Sequence, residues 1–277
     1  MPLNSRGRWA ALLVIVLMAV WSSGCTTSAP AAKSAPAARA AAAPETANAA
    51  PLRVGISPDL PPLIYRQGDK ITGLEAEFAR ELAQYLGRPL SFVELAWPDQ
   101  IEALQEDRID IIMSGMSITE MRRVRVAFCN PYAQSGLMAL IRREDIQRFD
   151  SGYYALVERP TLGAVKNTTG EIYVRTGYPN AEKRYFDNVA DAVEALKSRQ
   201  IEVLIHDAPV IMLMAADNES QLTMAGSLLT KEYLAWAVSK DNTALRDKAN
   251  TFLKDLKKQG RLQTLVSRWI PLANAGQ

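Results

Sequence analysis

From Leu52 onward the sequence alternates short runs of β-favouring apolar residues with stretches whose apolar residues recur at helical spacing, and this alternation constrains the fold more than any other feature. LRVGI predicts a strand, and Leu74, Phe78, Leu82, Tyr85 and Leu86 mark one face of a helix that Gly87 ends. Pro89 leads into a second strand, LSFVEL. Trp97 to Asp107 predicts a helix with Ile101 and Leu104 facing inward, and IDIIM, Ile109 to Met113, a third strand. A βαβαβ order requires a parallel sheet flanked by helices.

A second unit begins near Ser135-Gly136. LMALI and LGAVK read as strands, Glu171 to Thr176 as the start of a helix, Ala190 to Ser198 as an amphipathic helix and IEVLI as a strand. The chain then continues through LAWAV, Leu234 to Val238, read as a strand, into two amphipathic helices within Thr243 to Trp269 that break at Gly260. Two α/β units of this size predict two lobes with a cleft between them. The units echo one another: ALQEDRIDIIM at Ala103 to Met113 and ALKSRQIEVLI at Ala195 to Ile205 share a helix end, a polar turn and a buried strand at matching spacing. Ser114 follows the first of these strands and His206-Asp207 the second. Ligands of open α/β sheets sit beyond the carboxyl ends of the strands, so both lobes are expected to aim polar groups at one cleft.

The stretch SGMSITEMRRVRVAFCNPY, Ser114 to Tyr132, carries the chemistry to fill such a cleft. Ser114, Gly115, Ser117 and Thr119 stand where a strand gives way to loop, so hydroxyls and backbone N–H groups become available to a ligand. Arg122 follows one short turn later with the paired donors that match a carboxylate. The same residues could equally form an ordinary helix start, with Ser117 or Thr119 as the cap and Arg122 in solvent.

Ahead of the folded part, Arg6 and Arg8, the apolar run Ala10 to Val20 and small residues ending at Gly24-Cys25 have the three parts of an export signal over residues 1–25. The apolar run is shorter than the about 20 residues a spanning helix needs. Ser22-Ser23-Gly24-Cys25 resembles a bacterial lipobox, with Ser22 where leucine is usual, and Cys25 is the expected site of lipidation and of attachment to a membrane. Residues 26–51, rich in alanine, proline and serine and without apolar period, read as a disordered tether. Cys129 is the other cysteine and reads as a small buried residue. With 48% hydrophobic residues the 277-residue chain can build real cores, and a net charge of +2, to which the leader contributes Arg6 and Arg8, gives no footprint for nucleic acid. No phosphate loop, metal-ligand cluster or Ser/His/Asp arrangement stands out, and there is one histidine, so no cofactor or metal is expected.

Taken in order, PDLPPLIY, GLEAEFARELAQYLG, W-x3-I-x-A-L at Trp97 to Leu104, SGMSITEMRR, F-x-x-PY at Phe128 to Tyr132, VKNTTGE, HDAP at His206 to Pro209 and GRLQTLVSRWIP resemble the family 3 solute-binding proteins over nearly all of Leu52 to Pro271. These are the extracytoplasmic receptors of polar amino-acid ABC importers. The resemblance implies a periplasmic-binding-protein-like α/β fold with two lobes and a two-strand hinge, with residues 52–137 and 233–277 in lobe 1 and 138–232 in lobe 2. It also implies a monomeric, periplasmic receptor for an amino acid, served by an ABC permease.

Carried over by position, Arg122 would clamp the ligand α-carboxylate, helped by Ser117, Thr168 and Thr169, and Asp207 would take the α-ammonium. Trp97 occupies a side-chain wall position and Leu60 stands where an opposing aromatic residue is common. Ser57 stands where some members place an acid. Lys166 and His206 match the glutamine-binding protein of the family, although His206 could equally be a hydrogen-bonded strand end. Asn167 replaces a glycine and tolerates the left-handed conformation such a turn needs. Glu75 and Glu77 read as acids that charge a helix N-terminus. Two other functions fit the same resemblance: a periplasmic cyclohexadienyl dehydratase, with Glu171 as its general acid or base, and a ligand-sensing accessory lipoprotein.

Overall fold

A computed structural model of the protein describes residues 49–149 and 159–270. The leader, Cys25, residues 26–48 of the expected tether and residues 271–277 lie outside the described residues. No helix among the described residues is long and apolar enough to cross a membrane. At the end of the tether, Arg88 donates to the carbonyls of Ala50 (2.8 Å) and Pro51 (2.7 Å), so the chain is held to the protein surface before the first strand starts.

In chain order, β1 (Leu52–Ile56) precedes a small antiparallel meander of β2 (Asp59–Leu60), β3 (Ile64–Gln67) and β4 (Lys70–Thr72). Then follow β5 (Leu90–Glu94), β6 (Ile111–Ile112) and β7 (Ala127–Phe128). β8 (Ala133–Ser135) crosses to the second lobe, which holds β9 (Leu137–Arg142), β10 (Leu162–Val165), β11 (Lys183–Phe186), β12 (Val203–Asp207) and β13 (Leu222–Ala225). β14 (Glu232–Leu234) returns, pairing antiparallel with β8, and β15 (Ala237–Val238) rejoins the first sheet. The sheet orders are β5-β1-β6-β15-β7 and β11-β10-β12-β9-β13. This is the two-lobed α/β architecture with a two-strand connection.

The repeated segment has a structural counterpart. β6 runs parallel to β1 and β12 parallel to β10, so each delivers its following residues to the same kind of edge. The sheets are mixed rather than purely parallel, because β15, β7, β9 and β13 add antiparallel pairs. Other local expectations also shift. IDIIM pairs only through Ile111–Ile112, and LAWAV is not one strand: Leu234 pairs with Ala133 in the connection, whereas Ala237 pairs with Ile112 in the sheet. Tertiary pairing divides a run that is uniform in propensity. Trp97 to Asp107 forms a short 3-10 turn, Trp97–Asp99, and a helix limited to Gln100–Gln105. The sequence reading missed the helix Ala208–Asp217, whose apolar residues show little one-sided pattern and which begins with Pro209 in its first turn.

The core follows the apolar faces. Helix Leu74–Tyr85 buries Leu74, Ala76, Phe78, Ala79 and Leu82 against β1 and the last two helices. Trp236, Tyr132 and Phe78 are fully buried beside the connection, with ring centroids 5.3–5.9 Å apart. The crossing itself demands glycine: a Cβ on Gly136 would stand 2.0 Å from the Thr230 carbonyl oxygen. Leu60 packs against the cores of both lobes.

Candidate ligand-binding site

A cavity lies where the carboxyl ends of β6 and β12 face one another. Ser57, Leu60, Trp97, Gly115, Ser117, Arg122, Thr168, Thr169, His206 and Asp207, all singled out from the sequence, line it. Lys166 does not. Its Nζ turns aside to Asp187 Oδ1 at 2.7 Å, and Asp187 is the residue of that pair that reaches the cavity. Asp59, Ser114, Val165, Asn188 and Val189 line it as well.

At Arg122 a helix cap and a cavity-lining side chain coexist, so the expected cap forms but the arginine is not left in solvent. Thr119 caps the short helix Glu120–Arg123 by accepting from the Arg122 backbone N–H at 3.2 Å, while the Arg122 side chain turns inward. Its guanidinium donates to the Ser117 carbonyl at 2.8 Å and lies 5.1 Å from the ring centroid of Trp97. A second donor reaches the Asn167 carbonyl on the other lobe at 3.3 Å, and Trp97 Nε1–H donates to the same oxygen at 2.9 Å. Loss of water lowers the Arg122 pKa, and the opposing charges of Asp207 and Glu232 offset part of that cost. Cation–π contact and carbonyl acceptors hold the guanidinium in place without neutralising it.

The hydroxyls of the floor beneath Arg122 are engaged within the lobe, although Gln100 Oε1 is buried without a partner. Ser114 Oγ accepts from the Ser57 N–H at 3.0 Å and from Gln100 Nε2 at 2.8 Å. Ser57 Oγ donates to the Leu95 carbonyl at 3.0 Å and accepts from Gln100 Nε2 at 2.7 Å, so this hydroxyl is occupied within the lobe. Gly115, at φ +67°, sends its N–H to Glu75 Oε1 at 2.8 Å. A Cβ there would lie 2.6 Å from Leu63 Cδ1. Glu75 therefore does more than charge a helix start. It is fully buried, and also accepts from Tyr132 O–H at 2.7 Å and Trp236 Nε1–H at 2.8 Å. Glu77 likewise takes the Trp269 indole N–H at 2.7 Å and an Arg268 donor at 2.6 Å.

The facing wall is a helix start. Asn167 adopts φ +61°, the left-handed conformation expected of it, and Thr168 caps helix Thr169–Gly177 by accepting from the Glu171 N–H at 3.3 Å. The Thr168 hydroxyl hydrogen goes to the Val165 carbonyl at 2.7 Å. Glu171 bends back to accept the Asn167 N–H at 2.6 Å and lies 3.6 Å from Arg175. It lines an adjoining pocket with Trp97, Arg122 and Asn167 and not the central cavity.

At the end of β12, burial lowers His206 to about 4, so its ring is neutral. Nδ1 accepts the Asp207 backbone N–H at 2.8 Å, which leaves the ring proton on Nε2. His206 is thus both a hydrogen-bonded strand end and part of the cavity wall. Asp207 is 7% exposed, and burial, reinforced by the charge of Glu232 and opposed by Arg122, pushes its carboxyl up to about 7. Its Oδ1 is buried with no hydrogen-bond partner, and so is Glu232 Oε2 on β14. Glu232 had no local signal in the sequence, since only the return of β14 brings its charge near Asp207. Among the described residues, no cluster of three or more His, Cys, Asp or Glu could hold a metal ion. Cys129 is buried, and burial pushes its thiol up to about 12.

The likenesses to known proteins agree with this geometry. The chain is 32% identical over 209 residues to the ABC transporter glutamine-binding protein GlnH of Bacillus subtilis, covering 73% of each. Among solved structures it resembles holo ArgBP from T. maritima, with 31% identity, a TM-score of 0.69 and coverage of 79% of this chain and 95% of that one. It also resembles the ancestral amino acid-binding protein AncCDT-1, a precursor of cyclohexadienyl dehydratase, with 29% identity, a TM-score of 0.74 and coverage of 79% and 95%. The model of the bacterial extracellular solute-binding proteins, family 3, matches residues 52–272, and the chain belongs to that family.

Proposed function

We propose that this protein captures an amino acid in the cleft and delivers it to an ABC importer. The observation that carries this reading is the pairing of unlike needs across one cavity: the Arg122 guanidinium on one lobe, and on the other the buried Asp207 carboxylate with an oxygen that has no donor. A free amino acid supplies both missing partners, with its carboxylate for Arg122 and its ammonium for Asp207. Burying an unpaired carboxylate is costly, and a ligand that pairs it recovers part of that cost on binding. Ser117, Gly115, Thr168 and Thr169 border the same space, and the Thr169 end of its helix adds positive dipole toward the carboxylate. A ligand of about ten heavy atoms at roughly −1 kcal/mol each binds between micromolar and nanomolar, adequate for scavenging. The glutamine-binding relative supports the amino-acid class and the importer partner.

Cys25 with its lipid and the alanine- and proline-rich tether would hold the receptor at the membrane surface on the extracytoplasmic side, as the lipobox-like SSGC suggests. Titration calorimetry of the purified protein with the common L-amino acids tests the main reading. Saturable one-to-one binding of at least one of them is expected. Turnover of prephenate or arogenate without amino-acid binding would overturn it in favour of a dehydratase.

A further inference from the structure

Once the main-chain groups of an amino acid are assigned, charge is left over in the cavity. One guanidinium, Arg122, and three carboxylates, Asp59, Asp187 and Asp207, line it. The ligand's carboxylate and ammonium match Arg122 and Asp207 one for one, leaving Asp59 and Asp187. Both are exposed, and they differ in partner: Asp187 is answered by Lys166. Asp59 has no cationic partner among the described residues. Partial removal from water holds its carboxyl above the usual range, opposed by its own backbone N–H and by no positive charge.

Asp59 also stands where a side chain can be read. It occupies β2, one residue before Leu60, which packs against both lobe cores and offers an apolar surface for a methylene chain. Two residues earlier, Ser57 cannot serve, because its hydroxyl is committed to Leu95 and Gln100. Asp207, which lines the same cavity, has a buried side-chain oxygen without a hydrogen-bond partner. The relatives do not decide the side chain, one being named for glutamine and another ArgBP.

We infer that the ligand's side chain ends in a cation, a guanidinium or an ammonium, and that Asp59 is the residue that selects it. The inference rests on the amino-acid reading above. A charge-assisted contact at this exposed position on the cavity rim favours the cation modestly, with Asp187 and Lys166 adding a charge-balanced pair that contributes little net field.

Calorimetry with L-arginine against L-citrulline, its uncharged near-isostere, and with L-lysine against L-norleucine tests this on the native protein and on Asp59→Asn. The cationic member of each pair should bind on the order of tenfold more tightly. Asp59→Asn should weaken arginine about fivefold and leave citrulline within about twofold, with an unchanged melting temperature. If citrulline or norleucine binds as tightly as its charged partner, or if Asp59→Asn leaves the ratio intact, the side-chain assignment is wrong and the amino-acid reading stands. If none of the common amino acids binds the folded protein, the amino-acid reading itself falls and takes this inference with it.

Discussion

Glu75 in the first lobe and Asp207 in the second are both buried carboxylates, and burial pushes each up to about 7. Their surroundings are opposite. Glu75 accepts from Gly115, Tyr132 and Trp236, which ties the ligand loop to the residues flanking both strands of the connection. Asp207 accepts nothing on Oδ1 and faces a cavity that Arg122 shares. The same titration behaviour therefore accompanies a fully hydrogen-bonded node in one lobe and a cavity-lining group with an unpartnered oxygen in the other. What separates them is the count of donors the fold supplies, not burial or charge.

The comparison breaks first at the guanidinium that shares the cavity with Asp207. Arg122→Ala should lower amino-acid affinity on the order of a hundredfold, since two charge-assisted bonds to the ligand carboxylate are lost. The melting temperature of the ligand-free protein should barely change, because the guanidinium neutralises no buried carboxylate by direct contact. Unaltered affinity by calorimetry would remove Arg122 from the site.

Asp207→Asn follows, with an affinity loss of roughly tenfold or more from the missing ammonium partner. Its sharper readout is protons. Near pH 6.5 the ligand-free Asp207 carboxyl is largely protonated, and an incoming ammonium favours the ionised form, so binding should release a proton. Calorimetry in buffers of different ionisation enthalpy should detect that release in the native protein and in Glu75→Gln, and lose it in Asp207→Asn. Loss in Glu75→Gln instead would reverse the roles assigned to the two carboxylates.

Glu75→Gln should act on stability. An amide presents a donor to at least one of three existing donors, costing about 1–3 kcal/mol, or several degrees of melting temperature in a domain of this size. Both carboxyls also shape the pH dependence. Their folded pKa values lie above their unfolded ones, so ligand-free stability is greatest below pH 4 as far as these groups are concerned and declines as pH rises through about 7. Each variant should remove one component of that decline in melts between pH 5 and 8. The smallest effect belongs to the exposed Lys166–Asp187 pair. Lys166→Met should change stability by less than about 1 kcal/mol, and a large change would mean the pair is more than a solvated contact.

Much of the site was legible because its groups sit in one continuous loop or at the ends of strands. Ser117, Arg122 and Asp207 follow from the carboxyl-end rule and from local chemistry, Thr168 was implied by the family resemblance, and Asn167 was expected to accept the left-handed turn it occupies. Ser57 and Lys166 show the limit: both stand in the expected places, yet one hydroxyl is consumed by Leu95 and Gln100 and one ammonium by Asp187. Motif position tells where a Cα is placed, and not which neighbour the side chain will find.

The order of strands and helices, the two-lobed plan and the polar ends of β6 and β12 were determined by the sequence alone, since hydrophobic period, turn residues and strand-end chemistry are properties of contiguous residues. Tertiary structure decided the division of LAWAV between two sheets, the sealing of Glu75 by donors at positions 115, 132 and 236, the approach of Glu232 to Asp207, and the isolation of Asp59. Each of these depends on which strand, donor or charge from a distant part of the chain arrives beside the residue, and those neighbours exist only once the chain has folded.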